Sequence, residues 1–188
     1  MKALDALHFL LEVRLEHSRP SHSNLHEYLR IVRGVKRPGD GFFLRAESFF
    51  NVATDIERMD AESSMGRPII DSYGGKSLHE QSHGESFMQL MVERFRAHGL
   101  YLLDEPEAAL SPGRQLAFLV RMHQLIQQGS QLVIATHSPI VMGYPDADIL
   151  VFGERGLERV AYEDTEHFTV ARRFLNDRAG MLRELLED

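Results

Sequence analysis

Leu100-Tyr101-Leu102-Leu103 is a continuous apolar run that breaks off into Asp104, Glu105 and Pro106. Four apolar residues in a row, without alternation, suit a strand buried inside a parallel sheet rather than a half-solvated one. Gln131 to Thr136 and Ile149 to Phe152 read as two more strands of the buried type. Between the first two lies a helical stretch opened by Ser111 and Pro112, as N-cap and first-turn proline, and ended by Gly129. Leu116, Leu119, Val120 and Ile126 are its expected buried face. Strand, helix and strand in this order call for a crossover, and crossovers join parallel neighbours. The predicted fold class is α/β, a parallel sheet flanked by helices.

The surrounding sequence extends the pattern. Phe42-Phe43-Leu44 is a further short strand, and Ala46 to Met59 spaces Phe49, Phe50, Val52, Ala53 and Ile56 along one helical face. Asp60 to Tyr73 is polar and contains Gly and Pro, as a loop does. A helix after Ser82 carries Phe87, Leu90, Met91 and Phe95 on one side, with Gly99 as its stop. Gly156 marks a turn into an edge hairpin at Leu157–Val160, and two helices, about 165–176 and 179–186, close the pattern. Residues 1–37 differ from the rest: a short amphipathic helix from Leu4 to Glu16, a polar loop, and a second helical piece from Leu25 to Val32. The division expected is an atypical segment 1–37 followed by a domain over 38–188.

Composition removes several classes of function. Without a single Cys, no disulfide scaffold, thiolate zinc site or cysteine nucleophile is available. No apolar run reaches the ~18 residues of a membrane span, and Asp5, Glu12 and Glu16 spoil a secretory leader, so a cytoplasmic location without membrane partners is expected. A formal charge of −7 argues against a general nucleic-acid binder, while leaving room for a local basic patch.

Three short segments carry chemistry. Asp104 and Glu105 emerge at the C-terminal end of a buried strand, the edge at which open α/β sheets bind ligands. An Asp there can hold Mg²⁺ while the adjacent Glu faces a water poised beside a phosphorus atom. Alone, the doublet is also what a strand ending in an acidic turn looks like. Upstream, Ser82-His83-Gly84-Glu85 opens a helix, and a hydroxyl, a Gly and free amides suit a phosphate, although a plain capped helix has the same look. Downstream, Val133-Ile134-Ala135-Thr136-His137 places an imidazole at the end of the next strand, able to hydrogen-bond a terminal phosphate.

In this order the three segments resemble the ABC-type ATPases, in the soluble bacterial branch labelled "AAA family", relatives of chromosome-maintenance and repair ATPases. Ser82 to Glu85 is similar to their signature motif, Leu100 to Glu105 to their Walker B, Ala108-Ala109-Leu110-Ser111 to their D-loop, and His137 to their switch histidine. The resemblance implies a P-loop NTPase-like fold with a small helical subdomain and Mg²⁺-dependent ATP hydrolysis at a head-to-head interface, formed by a homodimer or with a partner ATPase subunit. It also implies roles. Asp104 would support Mg²⁺, Glu105 would be the general base, and His137 would contact the γ-phosphate. Ser82, Gly84 and Glu85 would serve the nucleotide held by the opposite subunit.

One part of the family pattern is missing. No Gly-x-x-x-x-Gly-Lys-Ser/Thr loop occurs; Gly75-Lys76-Ser77 has Ile70 where the first Gly belongs. The chain thus looks like the C-terminal half of such an ATPase with an incomplete N-terminal lobe, and its own ATP binding is expected to be weak. The alternative is a non-catalytic module that docks on a complete ATPase. His17, His22 and His26 read as a solvated loop, Asp146 and Asp148 as a turn leading into a strand, and Arg172, Arg173 and Arg178 as a solvated helix face.

Overall fold

Strands β1 (Asp40–Arg45), β2 (Gly99–Asp104) and β3 (Gln131–Ala135) lie side by side in that order, all parallel. The structure is a computed structural model and describes residues 37–46, 54, 58–60, 68, 70, 83–153 and 156–187. The helices expected before Val32, the three N-terminal histidines, most of the 60–73 loop, Gly75-Lys76-Ser77 and Ser82 lie outside the described residues. Where the expected helix over 46–59 is described, at Ala46, Thr54 and Arg58–Met59, it is helical.

Register divides the sheet into two faces. Phe42, Leu44, Tyr101, Leu103, Leu132 and Ile134 share one face, because Phe42 pairs with Tyr101 and Leu44 with Leu103, and these in turn with Leu132 and Ile134. Helices α1 (His83–Arg94) and α2 (Pro112–Gln127) supply most of the rest of the core, with Phe95, Leu110 and Val141 beside them. Phe87, Leu90, Met91 and Phe95 are buried as the sequence pattern predicts, each removal from water contributing about 1.5–3 kcal/mol. Phe95 stacks on Tyr101 with ring centroids 4.1 Å apart, and the Tyr101 hydroxyl donates to the Arg96 carbonyl at 2.8 Å. The opposite face carries Arg45, Asp104 and Val133, and Val133 keeps 53% of its surface in water.

Four expectations need correction. Gly99 does not end α1; it begins β2, and its missing side chain makes room for the Tyr101 ring. The left-handed residue that turns the chain after α1 is His98, at φ 58°. Second, α2 is rotated from the expected phase: Gln115, Phe118, Met122 and Leu125 are buried, while Leu116 and Val120 are 57% and 60% exposed. Apolar residues cover more than one stripe of this helix, so spacing alone did not choose the face, and the larger Phe118 and Met122 filled the core. Third, β3 is half open, its residues alternating between exposed and partly buried. Fourth, β4 (Ile149–Gly153) is not a buried strand of the parallel sheet. It pairs antiparallel with β5 (Gly156–Val160) in a separate hairpin, where Phe152 is 87% exposed.

Other boundaries match the sequence reading. Gly129 ends α2 at φ +78°, a backbone region that costs L-residues about 1–2 kcal/mol. After a four-residue helix α3 (Pro139–Met142), helices α4 (Glu166–Asn176) and α5 (Arg178–Leu186) follow the hairpin. Thr165 caps α4 by accepting from the Phe168 N–H, and Asp177 caps α5 by accepting from the Gly180 N–H. Arg173 reaches across from α4 to pair with Glu184 of α5. No described helix is long and apolar enough to cross a membrane.

Candidate functional site at the tips of two parallel strands

Parallel pairing of β2 with β3 brings their C-terminal ends together, and the two segments expected to carry chemistry leave the sheet side by side. The Glu105 N–H donates to the Ala135 carbonyl at 2.8 Å, one residue beyond the end of β2. Glu105 itself sits at φ 50°, ψ 52°, in left-handed backbone that disfavours every residue with a Cβ except in special settings. This kink lets Pro106 start a 3₁₀ turn, Pro106–Ala109, with its ring buried. The Glu105 side chain is thereby left half exposed at the strand tip, 3.7 Å from His137 Nε2 through Oε1. Glu105 and His137 are thus brought into one site, as their positions at neighbouring strand ends predict.

A residue the sequence reading passed over fixes the histidine. Glu107, in the 3₁₀ turn, accepts the His137 N–H at 2.6 Å on one carboxylate oxygen and the Thr136 hydroxyl at 2.7 Å on the other. The Thr136 hydroxyl accepts from the Ser138 N–H at 3.0 Å, and the Ser138 hydroxyl donates to buried Gln115 at 2.6 Å. Gln115 donates in turn to the Leu110 carbonyl at 3.1 Å. The turn after β2 and the turn after β3 are therefore linked through a continuous set of hydrogen bonds. The signal available in sequence was the third carboxylate in Asp104-Glu105-Pro106-Glu107, whose partner 30 positions on cannot be read from spacing. On the other side of the ring, His137 Nδ1 lies 3.1 Å from His167 Nε2 of α4.

Asp104 is already engaged. Arg45, its register partner at the end of β1, donates from Nε to Asp104 Oδ2 at 2.6 Å. Among the described residues no group of three or more His, Asp or Glu is arranged to hold a metal ion. Mg²⁺ asks for less than that, since one or two carboxylates beside phosphate oxygens and water suffice. Asp104, with Glu105 next to it, fits such a hydrated ion through the carboxylate oxygen that Arg45 leaves open.

The segment resembling a signature motif is described from His83 onward. Gly84 is buried, and a Cβ there would stand 2.6 Å from Arg114 Nη1 and 2.9 Å from the Ala109 carbonyl. Its bare backbone lets the start of α1 press against the 3₁₀ turn and the first turn of α2. Glu85 is exposed and pairs with Arg114 at 2.8 Å. Gly84 is thus packed beside the segment that contains Ala108 and Ala109, with Glu85 next to it at the surface.

The remaining acids stand elsewhere. Asp146 sits at φ 58° in the turn before β4, and Asp148 pairs with Arg159 of β5. Asp146 borders an open cleft of about 590 Å³ lined also by Tyr144 and Tyr162. The positions of the two acids match a turn leading into a strand.

Strand tips bearing an acid doublet and an imidazole, on a three-stranded parallel sheet with helices against it, are compatible with a P-loop NTPase-like α/β fold. A model of the family described as "AAA domain, putative AbiEii toxin, Type IV TA system" matches residues 70–143, which take in α1, β2, α2, β3 and α3. The match supports an AAA-type ATPase family within the P-loop NTPase superfamily and, at that level, a nucleotide-binding, ATPase-like function. No curated protein and no solved structure matches the chain.

Proposed function

We propose that this chain is an ATPase domain of the ABC type that binds ATP with Mg²⁺ and contributes Asp104, Glu105 and His137 to hydrolysis. The observation that carries the reading is the Glu105–His137 approach of 3.7 Å at neighbouring strand tips, with Glu105 held in strained left-handed backbone. Strain of this kind gathers where a side chain must be aimed rather than merely accommodated. A half-exposed carboxylate at this point is placed to accept a proton from an attacking water. His137, 74% exposed, offers Nε2 to a terminal phosphate, and the Glu107 carboxylate fixes the backbone from which it extends. Bound Mg²⁺ would neutralise charge on the phosphate oxygens, with Asp104 as its protein ligand.

The sequence lacks the glycine-rich loop whose amides and Lys would cradle the triphosphate, so hydrolysis by this chain by itself is slow. A second subunit, a copy or a partner ATPase, would complete the site, with Ser82, Gly84 and Glu85 serving nucleotide across the interface. The test is phosphate release by the chain alone and mixed with a complete ATPase of the same family. Glu105→Gln is expected to lower the rate that the chain adds to that of the complete ATPase by about 10²-fold or more. Equal rates for wild type and Glu105→Gln under both conditions would defeat the proposal. Such a result would favour the second reading, a docking module, for which the 53% exposure of Val133 and 87% exposure of Phe152 speak.

A further inference from the structure

Arg45 is the neighbour of Asp104 whose part is not explained by the reaction above. We propose that the Arg45 guanidinium is the resident cation of the Asp104 carboxylate and determines when that carboxylate takes a divalent ion. The inference rests on the reading of Asp104 as a metal ligand. Three observations carry it. Arg45 and Asp104 are register partners at the ends of β1 and β2, so both side chains leave the same open face of the sheet. The contact is short, 2.6 Å from Nε to Oδ2, and neither side chain has another polar partner among the described residues. Arg45 is 44% exposed, so it is free to swing into solvent or toward an arriving anion.

The electrostatics give the direction. A guanidinium keeps its positive charge at every pH a protein meets. A divalent ion on the remaining Asp104 oxygen would sit about 4–5 Å from that charge, and even at the dielectric constant of water the repulsion weakens its binding roughly tenfold or more. Free metal is therefore held more weakly at Asp104 as long as Arg45 is in place. A polyphosphate arriving together with the metal offers the guanidinium a better anion than a single carboxylate, so the two cations can then part. Metal and nucleotide are taken up together.

Mn²⁺ serves as the probe, titrated against the full chain without nucleotide and followed by loss of the free-ion electron paramagnetic resonance signal. Arg45→Met is expected to bind Mn²⁺ about tenfold or more tighter than wild type, and Arg45→Lys, which keeps the charge, to stay near wild type. The gain is expected to vanish in Arg45→Met/Asp104→Asn. Arg45→Gln replaces Arg45→Met if circular dichroism shows the latter unfolded. Equal Mn²⁺ affinity for wild type and the neutral variants, or a gain that survives Asp104→Asn, would overturn the assignment. Because no nucleotide is present, the outcome is independent of whether the chain hydrolyses ATP; that reading stands or falls on Glu105→Gln.

Discussion

Replacing Glu107 by Ala removes two acceptors at once, one for the His137 N–H at 2.6 Å and one for the Thr136 hydroxyl at 2.7 Å. Hydrogen bonds to a charged group are worth about 1.5–3 kcal/mol each when well shielded. These lie at a half-exposed strand tip, where water replaces part of what is lost, so about 1–2 kcal/mol in total is the expected loss. The loss is local: it eases opening of the turn around His137 without touching the core. The protection of the His137 amide against hydrogen exchange should fall about 5–30-fold. Native-state exchange followed by NMR reads this directly, and the Glu105 amide, bonded to the Ala135 carbonyl rather than to Glu107, serves as internal control. Glu107→Gln, which retains one acceptor oxygen, should fall between. If His137 exchanges at the wild-type rate in Glu107→Ala, the carboxylate does not hold that turn, and its assignment as the support of His137 is wrong.

Gly84→Ala should destabilise by about 1–3 kcal/mol in urea unfolding, because the new Cβ meets the Ala109 carbonyl at 2.9 Å and backbone must shift to admit it. Glu105→Gly should abolish turnover yet leave stability unchanged or raise it by up to about 1 kcal/mol, since the left-handed backbone no longer carries a Cβ. Burial pushes the Tyr101 hydroxyl above its ordinary value, with nearby Asp40 adding to the rise. The folded state therefore holds this proton more tightly than the unfolded chain does. The stability it contributes is complete below about pH 10 and is lost as pH climbs through the raised folded value. Tyr101→Phe should flatten this alkaline loss in thermal melts, while costing about 1 kcal/mol at neutral pH for the bond to the Arg96 carbonyl.

The elements that sequence reveals here are those whose signal is local. The Leu100–Leu103 run, the Ser111-Pro112 start, Gly129 and the helix start near 165 each act within a few residues of themselves, and each is found where expected. The face of α2 was not legible, since Leu116 and Val120 compete with Phe118 and Met122 and only the shape of the core decides between them. Exposure of β3 and β4 also escaped, because an apolar run records that a strand can be buried, not which other strands are there to bury it. At the site, Glu105 and His137 were legible because both follow apolar strands whose pairing topology is constrained. Glu107, His167 and Arg45 were not. Their partners lie 29 residues or more away, and a polar residue in a turn or at a strand end gives no hint of which distant group it meets.

The hydrogen bonds running from the Leu110 carbonyl through Gln115, Ser138, Thr136 and Glu107 to the His137 amide act as a strut between the turns that follow β2 and β3. Pushing on the Ala108–Leu110 segment from outside, as a neighbouring subunit seated there would, must drag the imidazole along or snap a bond on the way. Contact at the rim would thus be felt at the backbone of His137.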